Sequence, residues 1–144
     1  MTTEGGVPLA VLDASVALKW VLLEPGHEES LAVLTAYEAG QLNLMAPRSF
    51  MEEVAGVLSR CCRRKQLTAA QAEEAFRVID QHRPVLAEGP YLLDQALQLS
   101  LRRQLSLWDC LYLALAIDRR CNLITADRRF YRNAWKVYPF IELL

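Results

Sequence analysis

The chain has 144 residues, 53% of them hydrophobic, with 16 Lys+Arg against 17 Asp+Glu and a formal net charge of −1. That is the length and apolar content of one globular domain with a sizeable core, and 6 Gly with 6 Pro exclude a fibrous repeat or a long disordered tail. Near-zero charge argues against a nucleic-acid partner until it is split by position: residues 1–47 hold one basic and six acidic side chains, residues 48–144 hold 15 basic and 11 acidic.

Pro8-Leu9-Ala10-Val11-Leu12 is a short apolar run that stops at a carboxylate, Asp13, and is followed by a helical pattern through Val16, Leu18, Val21 and Leu22. It predicts a buried strand turning directly into a helix. Pro25-Gly26 breaks that helix, and a second runs from near Glu28 to Gly40, with Leu31 and Leu34 at helical spacing. Leu42 to Ala46 reads as a second strand ending at Pro47. From Arg48 to about Lys65 the pattern is helical again, with Phe50, Val54, Val57, Leu58 and Cys61 on one face. Thr68-Ala69-Ala70-Gln71 has the form of a capping box, in which the Thr hydroxyl and Gln amide satisfy free N–H groups, and predicts a helix over Ala69 to Gln81.

Pro84-Val85-Leu86 reads as a short extended piece, and Gly89-Pro90 punctuates before a helix from Tyr91 to about Arg103. Ser106 is placed to cap the next helix, with Asp109 three positions on. Leu107, Leu111, Leu113, Ala114, Leu115 and Ile117 make that helix apolar almost all round, so it is expected at the centre of the fold. Leu123-Ile124-Thr125 is a third strand, again ending in a carboxylate, Asp127, and Trp135 to Tyr138 reads as the last strand. Strands separated by helices imply parallel units with right-handed crossovers, hence a single domain over residues 1–144 built as a three-layer α/β/α sandwich around a mostly parallel sheet. In such sheets ligands bind beyond the carboxyl ends of the strands, where Asp13 and Asp127 fall.

The four cysteines, Cys61, Cys62, Cys110 and Cys121, show no C-x-x-C spacing, and neither His27 nor His82 is near them, so no zinc framework is expected. A reducing, cytoplasmic setting fits. The apolar stretch from Val7 to Leu23 has no basic segment before it and is interrupted by Asp13 and Lys19, unlike a signal peptide or a membrane span.

One Asp at a strand end is ordinarily a helix cap or a turn former. Two converging on one sheet edge, with Asp109 opening an otherwise apolar helix, point further. Of the Glu52-Glu53 pair, Glu52 shares its helix face with Arg48, Gly56 and Arg60 and is expected in an i, i±4 ion pair. Glu53 lies between Phe50 and Val57 on the core stripe, with no Lys or Arg on its face within a turn, so its partner is expected to come from outside the chain. Gathered carboxylates repel and raise one another's pKa, and a hard divalent cation resolves the conflict. Oxygen ligands without Cys or His indicate Mg²⁺ or Mn²⁺, and such ions promote phosphoryl chemistry. The Arg clusters Arg63-Arg64, Arg102-Arg103, Arg119-Arg120 and Arg128-Arg129-Arg132 divide into helix-end charges, read for Arg63-Arg64 and Arg119-Arg120, and candidates for phosphate contact.

Val11-Leu12-Asp13-Ala14-Ser15-Val16-Ala17-Leu18-Lys19-Trp20, Glu53-Val54-Ala55, Leu107-Trp108-Asp109-Cys110-Leu111-Tyr112-Leu113-Ala114-Leu115-Ala116 and Leu123-Ile124-Thr125-Ala126-Asp127-Arg128-Arg129 resemble, in order, the four motifs of PIN-domain ribonucleases, particularly the VapC-type toxins of type II toxin-antitoxin systems. Trp108 departs from the family, which often has another aromatic or a small residue there. The resemblance implies a Mg²⁺- or Mn²⁺-dependent endoribonuclease in which Asp13, Glu53, Asp109 and Asp127 are catalytic and hold the metal, with Ser15 and Thr125 in support. It also implies an RNA substrate, a homodimer and a small antitoxin covering the active site, and it marks Arg128, Arg129 and Arg132 as RNA-binding candidates. Two other readings compete. A metal-dependent phosphatase would carry D-x-D after the first strand, where this chain has Ser15, and would leave Glu53 unexplained; a silent PIN-like binding module would not need all four acidic positions.

Overall fold

The computed structural model describes residues 3–87 and 90–144. The described residues form six strands and seven helices in the order β1 (Thr3–Glu4), β2 (Val7–Leu12), α1 (Ala14–Val21), α2 (His27–Glu38), β3 (Asn43–Pro47), α3 (Phe50–Arg63), α4 (Ala69–Gln81), β4 (Val85–Ala87), α5 (Pro90–Arg103), α6 (Leu107–Arg119), β5 (Asn122–Thr125), α7 (Arg128–Ala134) and β6 (Ile141–Leu143). Gly89, read as punctuation before α5, lies outside the described residues.

The sheet runs β4-β3-β2-β5-β6, and each neighbouring pair in it is parallel. β1 adds a short antiparallel pairing at the start of β2. The chain leaves β2 outward through β3 to β4, then returns to the other side of β2 at β5. The strand order therefore reverses between β2 and β5, the crevice at which ligands gather in open parallel sheets. Right-handed crossovers place the helices of the two halves on opposite faces, giving the expected three layers. α1 to α4 pack together and α5 packs on α6.

Burial follows from this arrangement. Covered on both faces, β2 is buried from Leu9 through Leu12, and β5 from Leu123 through Thr125. α6 contacts β2, β3 and β5, and its residues Tyr112 to Ala116 are all buried, as its all-round apolar character predicts. Cys110 and Cys121 are buried and free, behaving as small core residues. The capping box at Thr68 and Gln71 and the Ser106 cap of α6 both form as read. No helix among the described residues is long and apolar enough to cross a membrane.

The C-terminal segment differs from the sequence reading. Trp135 to Tyr138 forms no strand: Asp127 caps α7 instead, the chain turns after Ala134, and the last strand is Ile141–Leu143. The aromatic run misleads because Tyr131 and Trp135 lie four apart on the helical side and stack, with ring centroids 6.1 Å apart. Leu123 is fully buried on β5, between β2 and β6. Leu123→Ala is therefore expected to lower unfolding free energy by about 2–5 kcal/mol in urea titration.

Candidate active site

The edge at the carboxyl ends of β2 and β5 is built by three short local devices. β2 passes directly into α1, so Asp13 occupies the N-cap position with an extended backbone and is 6% exposed. Its Oδ2 accepts two hydroxyl hydrogen bonds, from Thr125 Oγ1 at 2.6 Å and from Ser15 Oγ at 2.8 Å. The same hydroxyls accept backbone N–H groups of the facing loop: Ala126 N donates to Ser15 Oγ and Asp127 N to Thr125 Oγ1, each at 3.0 Å. Ser15 and Thr125 thus fasten strand end to strand end and hold one Asp13 oxygen. Oδ1 takes no part in those two hydroxyl bonds.

Asp127 fulfils the ordinary role of a strand-end Asp. Its Oδ1 caps α7 by accepting from Arg129 N and Phe130 N, both at 3.0 Å. Capping uses one oxygen only. On α6, Asp109 is held in the first turn by its N–H bond to Ser106 Oγ at 3.1 Å. On α3, Glu53 is half-buried, and its Oε1 is fully buried without a hydrogen-bond partner. Glu52 is exposed and takes part in none of the ion pairs among the described residues. The expected pair with Arg48 or Arg60 is therefore absent: all three side chains are exposed, where such a pair gains little against water.

Asp13 and Asp109 act on Glu53, and Asp127 acts on Asp13 and Asp109. Burial pushes Glu53 up to about 8, and the charges of Asp13, Asp109 and Glu52 push the same way against an opposing contribution from the Tyr112 hydroxyl. Burial likewise pushes Asp109 up to about 6, with Asp13 and Asp127 adding to it. Asp13 is also raised, by burial first and then by Asp127, although the Thr125 and Ser15 hydroxyls oppose the shift. None of the four is paired with a Lys or Arg among the described residues. As they stand, no three acidic, His or Cys side chains among the described residues converge closely enough to enclose an ion. The donor set nonetheless fits a hard divalent cation: it is all oxygen, Glu53 Oε1 is buried and unpartnered, and both histidines are engaged elsewhere, His27 at the Lys19 carbonyl and His82 at Glu38.

A cleft of about 320 Å³ opens beside the cluster, lined by Gln104, Ser106, Asp109, Asp127, Arg129 and Asn133 with Leu105 and Phe130 as apolar wall. Of the three Arg candidates only Arg129 lines it; Arg128 and Arg132 are exposed elsewhere on α7. The sequence reading passed over Tyr112, Gln104 and Asn133. Tyr112 had a signal, since it falls three residues after Asp109 and so shares its helix face.

Acidic side chains gathered at the switch point of a parallel sheet define a class of site, and the sequence places it in a family. Residues 10–136 match the model of the PIN domain, and the chain belongs to that family. PIN domains are generally dependent on divalent metal. No curated protein matches the chain at a significant level. Among solved structures it is similar to PAE2754 from Pyrobaculum aerophilum, with TM-score 0.67 and 20% identity over 89% of this chain and 81% of that one. It is also similar to Mycobacterium tuberculosis VapC20, a Sarcin-Ricin loop cleaving toxin, with TM-score 0.64 and 17% identity over 87% and 95% of the two chains. A third likeness is to VapBC2 from Rickettsia felis, solved bound to a DNA fragment from its promoter, with TM-score 0.66 and 13% identity over 94% and 97%. At these identities the likeness is one of fold.

The raised carboxyls have a consequence for stability. Unfolded, Glu53 ionises near its ordinary 4.5, whereas folded it holds its proton to about 8. Between those values the native state binds the extra proton, so raising the pH costs stability. Metal-free protein is expected to show a melting temperature that falls steadily as pH rises from 4.5 to 8, and Glu53→Gln is expected to flatten that slope. Differential scanning fluorimetry in EDTA across this range checks it, and a flat wild-type profile would remove the cluster's strain.

Proposed function

We propose that this PIN domain is a Mg²⁺- or Mn²⁺-dependent endoribonuclease of the VapC type, the toxin of a toxin-antitoxin pair. The observation that carries the reading is Glu53 Oε1, buried and unpartnered, in the field of Asp13 and Asp109, with no Lys or Arg paired to any of the three among the described residues. Asp13, Glu53, Asp109 and Asp127 would hold the ion. When bound, such a cation supplies Lewis acidity toward the phosphodiester and an activated water.

The chain's own groups prepare the site for this. Ser15 and Thr125 fix one oxygen of Asp13, so that the other keeps a single orientation without rearrangement at the moment of reaction. Asp127 is held by its own cap bonds in the same way. In the cleft, Arg129 would take a phosphate oxygen, while the Gln104 and Asn133 amides, unpartnered among the described residues, suit the edge of an unstacked base. Arg128 and Arg132 would add longer-range attraction for the RNA backbone.

Three features support the toxin reading: the family, the fold shared with VapC20 and VapBC2, and the complete acidic set, which a silent binding module would not need. The antitoxin partner rests on likeness to VapBC2. For the homodimer, α5 presents the exposed leucines Leu93, Leu97 and Leu101 at four-residue spacing. Asp94 and Arg102 sit beside that stripe, so an antiparallel two-fold pairing of α5 with a second copy would set each against its opposite charge.

Purified protein incubated with RNA is expected to cleave it with Mn²⁺ or Mg²⁺ and not with EDTA. Asp13→Asn and Glu53→Gln should each lower the rate on the order of 10² to 10³-fold, the loss expected for one preorganised electrostatic group, while Glu52→Gln leaves it within a factor of two or so. Metal-independent cleavage would overturn the reading, and equal losses at Glu52 and Glu53 would overturn the ligand assignment.

A further inference from the structure

Among the described residues, three buried side-chain polar atoms lack a hydrogen-bond partner: Ser49 Oγ, Glu53 Oε1 and Tyr112 Oη. Buried polar groups are normally paired, so each such exception asks for an explanation. Ser49 lies one turn before Glu53 at the start of α3, and its hydroxyl does not perform the usual capping bond. Tyr112 comes from the other half of the fold. It is 1% exposed in the middle of α6, on the face it shares with Asp109.

The surroundings of the Tyr112 hydroxyl are specific. Both the Glu53 carboxyl and the backbone N–H of Ala14 are near enough to it to bear on its ionisation. Ala14 begins α1, immediately after Asp13, so its N–H is one of those that the helix itself leaves unbonded. A phenol has one O–H to donate and lone pairs to accept with. The hydroxyl therefore has a donor next to Asp13 and an acceptor on Glu53 nearby, and completes a full hydrogen bond with neither.

We infer that Tyr112 is a positioning residue for the metal centre, its hydroxyl accepting from Ala14 N–H and donating to the Glu53 carboxylate once a divalent cation holds that carboxylate in place. The inference rests on the proposed cation site. Tyr112 touches neither substrate nor ion; it restricts the orientations of a ligand, as outer hydrogen-bond partners of metal ligands do. A phenylalanine would fill the same buried volume and lose only this function.

The test is calorimetric titration of Mn²⁺ into metal-free wild-type, Tyr112→Phe, Glu53→Gln and double-variant proteins, with melting temperatures measured in EDTA. Tyr112→Phe is expected to weaken Mn²⁺ binding by about 10 to 100-fold while the metal-free protein melts within a few degrees of wild type. In the Glu53→Gln background the same change is expected to have little further effect, since Tyr112 acts through Glu53. Wild-type affinity in Tyr112→Phe, or fully additive losses in the double variant, would overturn the inference and leave the cation site standing. Absence of Mn²⁺ binding by wild type would overturn the cation site and this inference together.

Discussion

Four carboxylates held at one edge of an apolar sheet are the constraint on which the rest of the structure depends. Asp13 is nearly buried, Glu53 and Asp109 are partly so, and each is pushed toward its neutral form by the same low-dielectric surroundings and by its neighbours. An isolated carboxylate there would protonate or move into water. The fold prevents the second course. Asp13 is fixed by two hydroxyls and Asp127 by two backbone N–H groups, while Asp109 and Glu53 sit in the first turns of helices anchored in the core by their buried residues. The strain is built into the site, and a divalent cation is the simplest species that relieves it.

The topology explains how residues so far apart in sequence meet. β2 and β5 are neighbours although most of the chain separates them, and the bond from Thr125 to Asp13 spans 112 positions. Parallel strands deliver their carboxyl ends to one edge, and helices that start just after those ends bring their first turns there. Glu53 follows β3 by a few residues, and Ala14 follows β2 after Asp13 alone, which is why Tyr112 from α6 finds both. The cleft of Gln104, Arg129 and Asn133 adjoins this centre because the α5–α6 turn and α7 border the same edge.

Much of this was legible in the sequence, for physical reasons that also mark where legibility stopped. The apolar runs ending in Asp13 and Asp127 located the strands and their edge, since a strand buried on both faces is nearly all apolar and its carboxylates lie beyond it. The spacing of Glu53 between Phe50 and Val57 separated it correctly from exposed Glu52, because side-chain direction on a helix follows from position alone. The last strand was misplaced because Tyr131 and Trp135 suit a strand or a helix equally, and only the cap at Asp127 decides between them. The ion pair expected of Glu52 did not form because helical spacing sets proximity without supplying the burial that would favour it. Tyr112 went unnoticed because a buried tyrosine reads as core until the neighbour of its hydroxyl is known, and that neighbour comes from a different helix.

The central claim is that these carboxylates gather in order to hold a divalent cation. The most direct measurement is a crystal structure of the protein grown with Mn²⁺, with anomalous scattering used to locate the metal. A peak is expected between Asp13, Glu53, Asp109 and Asp127, with Glu53 Oε1 turned toward it and Asp13 Oδ2 still held by Ser15 and Thr125. No peak at that edge at saturating Mn²⁺, or a lysine or arginine side chain occupying the space between the carboxylates, would contradict it.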